Sequence, residues 1–292
     1  MLKKILTMFN APSPIAERGV ILHGHMFKNA GSTLDWSLRR NFHKNFCDHR
    51  DDRSMRSGGA NYLLDYLKNN ANCQAISSHH LCMPLPEKSN FNLYPLFLVR
   101  HPIVRVRSVY DFERKQPEFT PGSIHAKKYS FIEYVKWRMR PDVNPTIRDY
   151  QLRYCLSKAY ENKSIDIETY NLAINKLAKN TVMGVVDRYD ESMVVFEDKL
   201  RPAFPNINLA YVIQNEGRKS KVEESVAVKA EKIITELGIC SKQLIEQNQM
   251  DLKLYTYANK RLDQMIMDID DFDKKYLDFK SRCSLLSKTA IS

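Results

Sequence analysis

The 292-residue sequence lacks several features that would place it in common protein classes. It has no apolar run near the roughly 20 residues that a membrane-spanning helix needs, so no membrane span is expected. Its six cysteines form no Cys-x-x-Cys pair, which argues against a zinc site and favours reduced thiols. It contains no internal repeat and no low-complexity tract, which argues against a repeat architecture.

Acidic residues are also few relative to basic ones, since 34 Asp and Glu stand against 45 Lys and Arg, for a formal net charge of +11. Such a charge attracts polyanions, and nucleic acid, an acidic glycan or a nucleotide cofactor would satisfy it equally. Residues 1–10 include two lysines near the start and only a short apolar stretch. No small-residue cleavage site follows them. We therefore expect a mature N-terminus rather than a signal peptide, and a cytoplasmic protein.

Short apolar runs alternate with segments of helical periodicity along most of the chain. The runs predict strands at residues 19–25, 73–78, 93–99 and 180–186. Because parallel strands need crossover connections, the alternation predicts an α/β fold with a P-loop-like parallel β-sheet flanked by helices.

Helical periodicity also continues over residues 222–237 and 241–270, which adds a helix-rich C-terminal part. We expect a single domain over residues 1–292, with a cofactor- and acceptor-binding core at 19–220 and a helical extension at 221–292 packed on it. Between the predicted strands, the sequence indicates a helix over 32–46 and loops over 48–59 and 116–128.

Two loops that follow predicted strands carry cationic and hydroxyl side chains. The first contains Lys28 and Gly31, and the second begins with Arg100. A helix start leaves backbone N–H groups without partners and is partly positive, and a glycine there lets the backbone approach an anion closely. An arginine adds a forked donor that suits phosphate. The pair of loops therefore predicts one ligand with phosphate groups at both ends.

The first loop resembles that of the sulfotransferases that use 3′-phosphoadenosine-5′-phosphosulfate (PAPS), where the loop usually reads Pro-Lys-Thr-x-Gly-Thr-Ser/Thr and binds the 5′-phosphosulfate. Lys28, Gly31 and Thr33 fit that pattern. Phe27 replaces Pro, and two further positions differ. The resemblance implies cofactor contacts from residues Lys28, Asn29, Ala30, Gly31, Ser32 and Thr33.

The second loop resembles the family's 3′-phosphate site, which uses an Arg and a Ser eight residues apart. Arg100 and Ser108 match that spacing, whereas His101 differs from the commoner Asp before Pro102. A late basic segment resembles a loop that covers the cofactor, which implies further contacts from Arg218, Lys219 and Ser220.

A histidine-bearing strand end resembles that of heparan sulfate 2-O-sulfotransferases and bacterial polysaccharide sulfotransferases. The resemblance implies that His79 is the general base, with His80 as the alternative because side chains alternate along a strand. An imidazole can take a hydroxyl proton near neutral pH. Lys28 would neutralise charge on the departing phosphate and the sulfuryl oxygens. Arg153, in a Gln-x-Arg-aromatic stretch, would bind an anionic acceptor or brace the fold.

The resemblance therefore predicts a PAPS-dependent carbohydrate O-sulfotransferase that transfers a sulfuryl group to a glycan or another hydroxyl-bearing acceptor by in-line displacement, with no metal required. His23 and His25 precede the first loop and are expected to have structural roles. Two other functions fit the residues: a P-loop-type nucleotide phosphotransferase, although Lys28 precedes Gly31 and the full P-loop motif is missing, and a non-catalytic basic protein that binds polyanions or nucleic acid.

Overall fold

The computed structural model describes residues 18–81, 83–86, 90–156, 160, 163–212 and 224–289. Five short strands are described; most residues are buried in four of them, whereas the two central residues of the strand at 46–49 are not. The strands are β1 (Arg18–Gly24), β2 (Phe46–His49), β3 (Ala75–Ser78), β4 (Phe91–Val99) and β5 (Val182–Val185).

All five strands form one parallel sheet in the order β2-β3-β1-β4-β5. The predicted α/β class with a parallel sheet flanked by helices is therefore confirmed. The register pairs Gly24 with Ser78 on β3 and with Phe97 on β4, so β1 ends beside both neighbours. The loops that follow these three strands thus emerge at one edge of the sheet.

Twelve α-helices are described, and their bounds follow in chain order. They are α1 (Gly31–Phe42), α2 (Asp52–Asn69), α3 (Pro102–Lys115), α4 (Pro121–Lys128), α5 (Phe131–Arg138), α6 (Tyr150–Tyr154), α7 (Ile167–Asn180), α8 (Tyr189–Leu200), α9 (Val226–Leu237), α10 (Cys240–Glu246), α11 (Gln249–Met267) and α12 (Phe272–Thr289). No helix in this described part of the chain combines the length and the apolar character needed to cross a membrane.

The hydrophobic core lies on both faces of the sheet. Val20 and Leu22 of β1 pack with α2, α7 and α11 on one face, whereas Ile21 packs with α1, α8 and α12 on the other. Since side chains alternate along a strand, one buried run supplies both layers. A third cluster joins α3, α4, α5, α9 and α10 beside the sheet. The C-terminal part is helix-rich, as predicted, whereas its division into core and extension stays a prediction.

The helix predicted over residues 32–46 was too long, and the loop predicted over 48–59 was wrong. Helix α1 ends at Phe42 because His43 adopts φ 46°, and the chain then enters the edge strand β2. Helix α2 begins at Asp52, where the Asp51 carboxylate accepts a hydrogen bond from the Ser54 amide. Gly59, at φ 56°, kinks this helix, which is why its glycine pair indicated a loop.

Two further helical boundaries differ from the prediction. Residues 116–128 were predicted as a loop, but a capping box between Thr120 and Ser123 starts α4 inside them. The helix predicted over 241–270 consists of α10 and α11, and α12 follows.

The five cysteines in the described part are free thiols: Cys47, Cys73, Cys155, Cys240 and Cys283.

Candidate functional site

The site lies where the strand order changes direction. The chain leaves β1 for β2 and β3 on one side and then crosses to β4 on the other side. In open parallel sheets, ligands bind in the crevice outside the carboxyl ends of the strands at such a point. The loops that carry Lys28, His79 and Arg100 follow β1, β3 and β4, so the topology brings these three predicted residues to one edge.

The backbone of the first loop is unusual, because Lys28 and Ala30 adopt φ values of 64° and 58°. Left-handed conformations cost a non-glycine residue about 1–2 kcal/mol. Asn29 lies between them and is 1% exposed, and its Nδ2 donates to the Leu98 carbonyl at 2.7 Å and to Gln151 Oε1 at 2.6 Å. These buried hydrogen bonds hold the strained loop in place.

Arg100 joins the second loop to the first. Its Nη1 donates to the Lys28 carbonyl at 3.1 Å. Its backbone N–H donates to Gln151 Oε1 at 2.8 Å, and its carbonyl accepts from Gln151 Nε2 at 2.9 Å. Burial lowers the pKa of Arg100, although nearby Asp187 acts in the opposite direction. Gln151 therefore bonds to both loops at once, through Asn29 and through Arg100.

One face of α3 packs against the first loop. Arg105 is fully buried under the Tyr150 ring, and its Nε donates to the Phe27 carbonyl at 3.0 Å. Phe112, seven residues further along, contacts the Phe27 ring. Ser108 is half-buried and lies between Arg105 and Phe112 at helical spacing, so it belongs to the same face of α3.

Lys28 carries an ammonium group that gives up its proton more easily than usual. The side chain is half-buried, and its Nζ lies 4.6 Å from the centre of the Phe112 ring. Burial, followed by the positive charge of Arg100, lowers the pKa of Lys28 to about 8, although Asp111 acts in the opposite direction. Because burial and a nearby cation both disfavour the charged form, a bound anion would be favourable here.

A hydrogen-bonded cluster lies directly behind the first loop. Asp35 on α1 accepts from His23 Nδ1 and from His25 Nδ1, both at 2.7 Å, and from Arg50 Nη2 at 3.3 Å. The ligating atoms of His23, His25 and Asp35 lie within 4.8 Å of one another, a spacing that metal ligands also have. The 2.7 Å separations are hydrogen-bond lengths, so in this arrangement the nitrogens bond the carboxylate directly.

Gly31 makes room for the His25 ring at the start of α1. A Cβ atom added at Gly31 would overlap this ring and lie 2.5 Å from His25 Nε2. The sequence predicted that this glycine lets the backbone approach an anion. The structure adds a second reason for a glycine, because the imidazole occupies the space that a side chain would need.

The two predicted candidates for the base follow β3. The His79 ring meets the His25 ring edge-on, with centroids 4.7 Å apart, and Asp52 lies 4.0 Å from its Nδ1. Burial, followed by the charge of Arg50, lowers the pKa of His79 to about 4. His80 Nε2 lies 3.7 Å from Asp52. The structure thus places His79, rather than His80, against the cluster beside the first loop.

A cavity of about 840 Å³ opens beside His80. His80, Tyr150 and Arg153 line it, and Lys28 and Arg100 do not. Tyr150 connects the cavity to the first loop, because its hydroxyl accepts from the Phe27 amide at 3.4 Å. Arg153 Nη1 donates to the Lys163 carbonyl at 3.0 Å. Arg153 therefore lies in the cavity wall and also braces a neighbouring segment.

The remaining predicted residues fall into two groups. At the start of α1, Ala30 is half-buried, Ser32 is exposed and Thr33 is 9% exposed, so the Ser32 hydroxyl is the more accessible of the two. The late contacts predicted at Arg218, Lys219 and Ser220 lie outside the described residues.

Two residues of the site received no role from the sequence. Asp35 lies in a predicted helix whose apolar residues recur at the usual helical spacing. Gln151 is only the first residue of the Gln-x-Arg-aromatic stretch. A carboxylate ten to twelve residues after two histidines, across a strand-to-helix turn, is a signal that could have indicated Asp35. Gln151 is 122 residues from Asn29 along the chain, and no local sequence pattern predicts the hydrogen bond between them.

The chain is similar to a protein from Archaeoglobus fulgidus that is described as an uncharacterized protein. The two are 27% identical over 247 residues, which make up 82% of this chain and 95% of that protein. No protein-family model matches the chain.

Gly31→Ala tests the contact between the glycine and the His25 ring. We expect it to lower the free energy of unfolding by about 1–3 kcal/mol, because a methyl group would be forced into an occupied space. In a His25→Ala background the same change should cost clearly less, since the ring is gone. Urea denaturation of the four proteins measures the difference. An equal cost in both backgrounds would show that the ring is not the obstacle.

Proposed function

We propose that the protein is a PAPS-dependent sulfotransferase that transfers a sulfuryl group to a hydroxyl of a carbohydrate acceptor. The observation that carries the proposal is the hydrogen bond from the Arg100 side chain to the Lys28 carbonyl. It joins two cationic strand-to-helix loops at the switch point of a parallel sheet. A donor with a phosphosulfate at one end and a 3′-phosphate at the other matches this pair of loops.

In the proposed complex the two loops bind opposite ends of the donor. The first, with Lys28 at its tip and the start of α1 behind it, receives the phosphosulfate, because helix N-termini attract anions. The second, with Arg100 and with Ser108 on the adjoining face of α3, receives the 3′-phosphate. Sulfuryl transfer then depends on positioning and on stabilising the charge of the leaving phosphate, by analogy with phosphoryl transfer.

The cavity beside His80 is the proposed acceptor site. Among the described residues, its wall contains four cationic side chains and one carboxylate, that of Asp142, which is paired with Arg140 at 2.6 Å. The four cations are Arg56, Arg148, Arg153 and Lys163. This excess of positive charge favours an acceptor that carries carboxylate or sulfate groups. Hydroxyl-rich anionic polysaccharides therefore lead the acceptor panel. A cytoplasmic location belongs to the same proposal and agrees with the free thiols.

Calorimetric titration with adenosine 3′,5′-bisphosphate, the donor product, tests the donor assignment. The bisphosphate should bind more tightly than adenosine 5′-monophosphate, because only the bisphosphate reaches both loops. Equal affinities would contradict the proposal. Tight duplex-DNA binding that weakens steeply with salt would instead favour a polyanion-binding protein, and magnesium-dependent ATP hydrolysis would favour a phosphotransferase.

A second measurement follows sulfate transfer from ³⁵S-labelled PAPS to a panel of acceptors. Heparosan and chondroitin represent anionic polysaccharides, dextran represents a neutral one, and p-nitrophenol represents a small hydroxyl compound. We expect transfer to an anionic polysaccharide and less to dextran. Transfer to p-nitrophenol alone would retain the donor and reject the carbohydrate acceptor.

A further inference from the structure

Asp35 fixes the orientation and the tautomer of His25. An ionised carboxylate only accepts hydrogen bonds, so the His25 Nδ1 that lies 2.7 Å from Asp35 Oδ2 must carry the proton. Burial alone would raise the pKa of Asp35, but the charge and hydrogen bond of His23 and the hydrogen bond of His25 lower it far below its usual range. The carboxylate therefore stays ionised, and the neutral tautomer of His25 that it selects has its lone pair on Nε2.

The His25 ring lies between the start of α1 and the His79 ring. It covers Gly31, the first residue of α1, on one side and meets the His79 ring at 4.7 Å on the other. The side chain of His25 is 12% exposed, whereas that of His23 is 1% exposed. Of the two imidazoles that Asp35 holds, that of His25 is the more exposed.

Two carboxylates beside His25 share one guanidinium. Arg50 Nη2 lies 3.3 Å from Asp35 and 2.5 Å from Asp48. The other titratable groups that the described residues place beside the pair include His23, His79 and Tyr189, and burial raises the pKa of the Tyr189 phenol well above its usual value. Asp35 is therefore bonded mainly by its two imidazoles, which are closer to it than Arg50 is.

We infer that His25, held by Asp35, accepts the proton of the acceptor hydroxyl, an inference that rests on the proposed function. As the hydroxyl oxygen forms its bond to sulfur, the bond between sulfur and the 5′-phosphate oxygen breaks and that oxygen keeps the electron pair. The hydroxyl proton moves to His25 Nε2 and is later released to water. The products are the sulfate ester and adenosine 3′,5′-bisphosphate.

This inference revises the role predicted for His79. A base is most effective when its pKa is near the working pH, and the His79 pKa of about 4 makes that ring a weak base at neutral pH. In the described part of the chain, the carboxylate beside His79 is that of Asp52, which lies 4.0 Å away and so beyond hydrogen-bond distance. In this mechanism His79 packs edge-on against the ring of the base.

Histidine ¹⁵N NMR on the wild-type protein tests the tautomer directly. We expect the neutral form of His25 to carry its proton on Nδ1, and we expect adenosine 3′,5′-bisphosphate to shift its Nε2 signal. His23 is the internal control, because it bonds the same carboxylate but is buried away from the ligand. A proton on Nε2 of neutral His25, or an unmoved His25 signal while the bisphosphate binds, would overturn the inference.

Kinetics of three variants separates this inference from the proposed function. With the acceptor that the panel identifies, His25→Gln and Asp35→Asn should lower kcat by about 100-fold or more, while binding of the bisphosphate persists. Asp65→Asn, a surface change on α2, is the control. Asp35→Asn should also change the pH profile of the residual activity, which a purely structural role would not do. If His79→Gln abolishes transfer and His25→Gln does not, His79 is the base. If the bisphosphate fails to bind the wild type, the proposed function itself fails.

Discussion

Replacing Lys28 with alanine should lower the rate of sulfuryl transfer by about 10²–10³-fold, the usual cost of removing one charge-stabilising donor from an active site. Lys28 is half-buried beside Arg100, so its ammonium group is poorly hydrated, and a bound anion would stabilise the charged form. Single-turnover assays with labelled PAPS measure the chemical step. Lys44→Ala, which removes an exposed lysine just after α1, is the matched control and should be neutral.

The same side chain should set the alkaline limit of activity. With a pKa of about 8 in the free protein, Lys28 loses its charge as the pH rises through that value. The ratio kcat/KM reports groups of the free enzyme, so it should fall above about pH 8. Lys28→Arg should move that decline upwards, since a guanidinium keeps its proton. An unchanged alkaline limb in Lys28→Arg would remove Lys28 from the charge-stabilising role.

Replacing Arg100 with alanine should weaken binding of adenosine 3′,5′-bisphosphate by about 10–100-fold, the range expected when a hydrogen bond to a charged group is lost. The affinity for adenosine 5′-monophosphate should fall less, because this ligand lacks the phosphate assigned to Arg100. Calorimetry with both nucleotides gives the ratio of the two losses. Arg39→Ala, which removes an exposed arginine, is the control.

Two other outcomes for the Arg100 variant would change the interpretation. If both nucleotides lose affinity equally, Arg100 acts by holding the Lys28 carbonyl rather than by binding the 3′-phosphate. If neither loses affinity, the two-loop donor site is wrong. Arg100→Lys distinguishes these roles further, since an ammonium retains the charge but not the planar fork.

The sheet and the meeting of the two loops could be predicted from the sequence because both depend on local pattern. Short apolar runs indicated four strands, and parallel pairing then placed Lys28 and Arg100 at one edge. The edge strand β2 was missed because Phe-Cys-Asp-His is short and half polar, and an edge strand needs less apolar surface than a central one. Its absence from the prediction also hid the start of α2.

The contacts behind the loops could not be predicted because they depend on how elements pack. The bonds from Asp35 to His23 and His25 require one particular rotation of α1 over β1. The bond between Asn29 and Gln151 requires a helix more than a hundred residues away to reach the first loop. Secondary-structure propensity and residue spacing each describe a single segment of the chain. These contacts depend instead on how two separate segments pack against each other.

Gln151 has a consequence for how a nucleotide would enter. The backbone amides of Gln151 and Leu152 donate to the Asp251 carboxylate of α11 at 3.0 and 2.8 Å, so the amide side chain starts from an anchored position. Neither loop can swing outward without breaking a bond to that one side chain. A nucleotide should therefore enter a site whose two loops are already held in place. Hydrogen–deuterium exchange in both loops should be slow before any nucleotide binds.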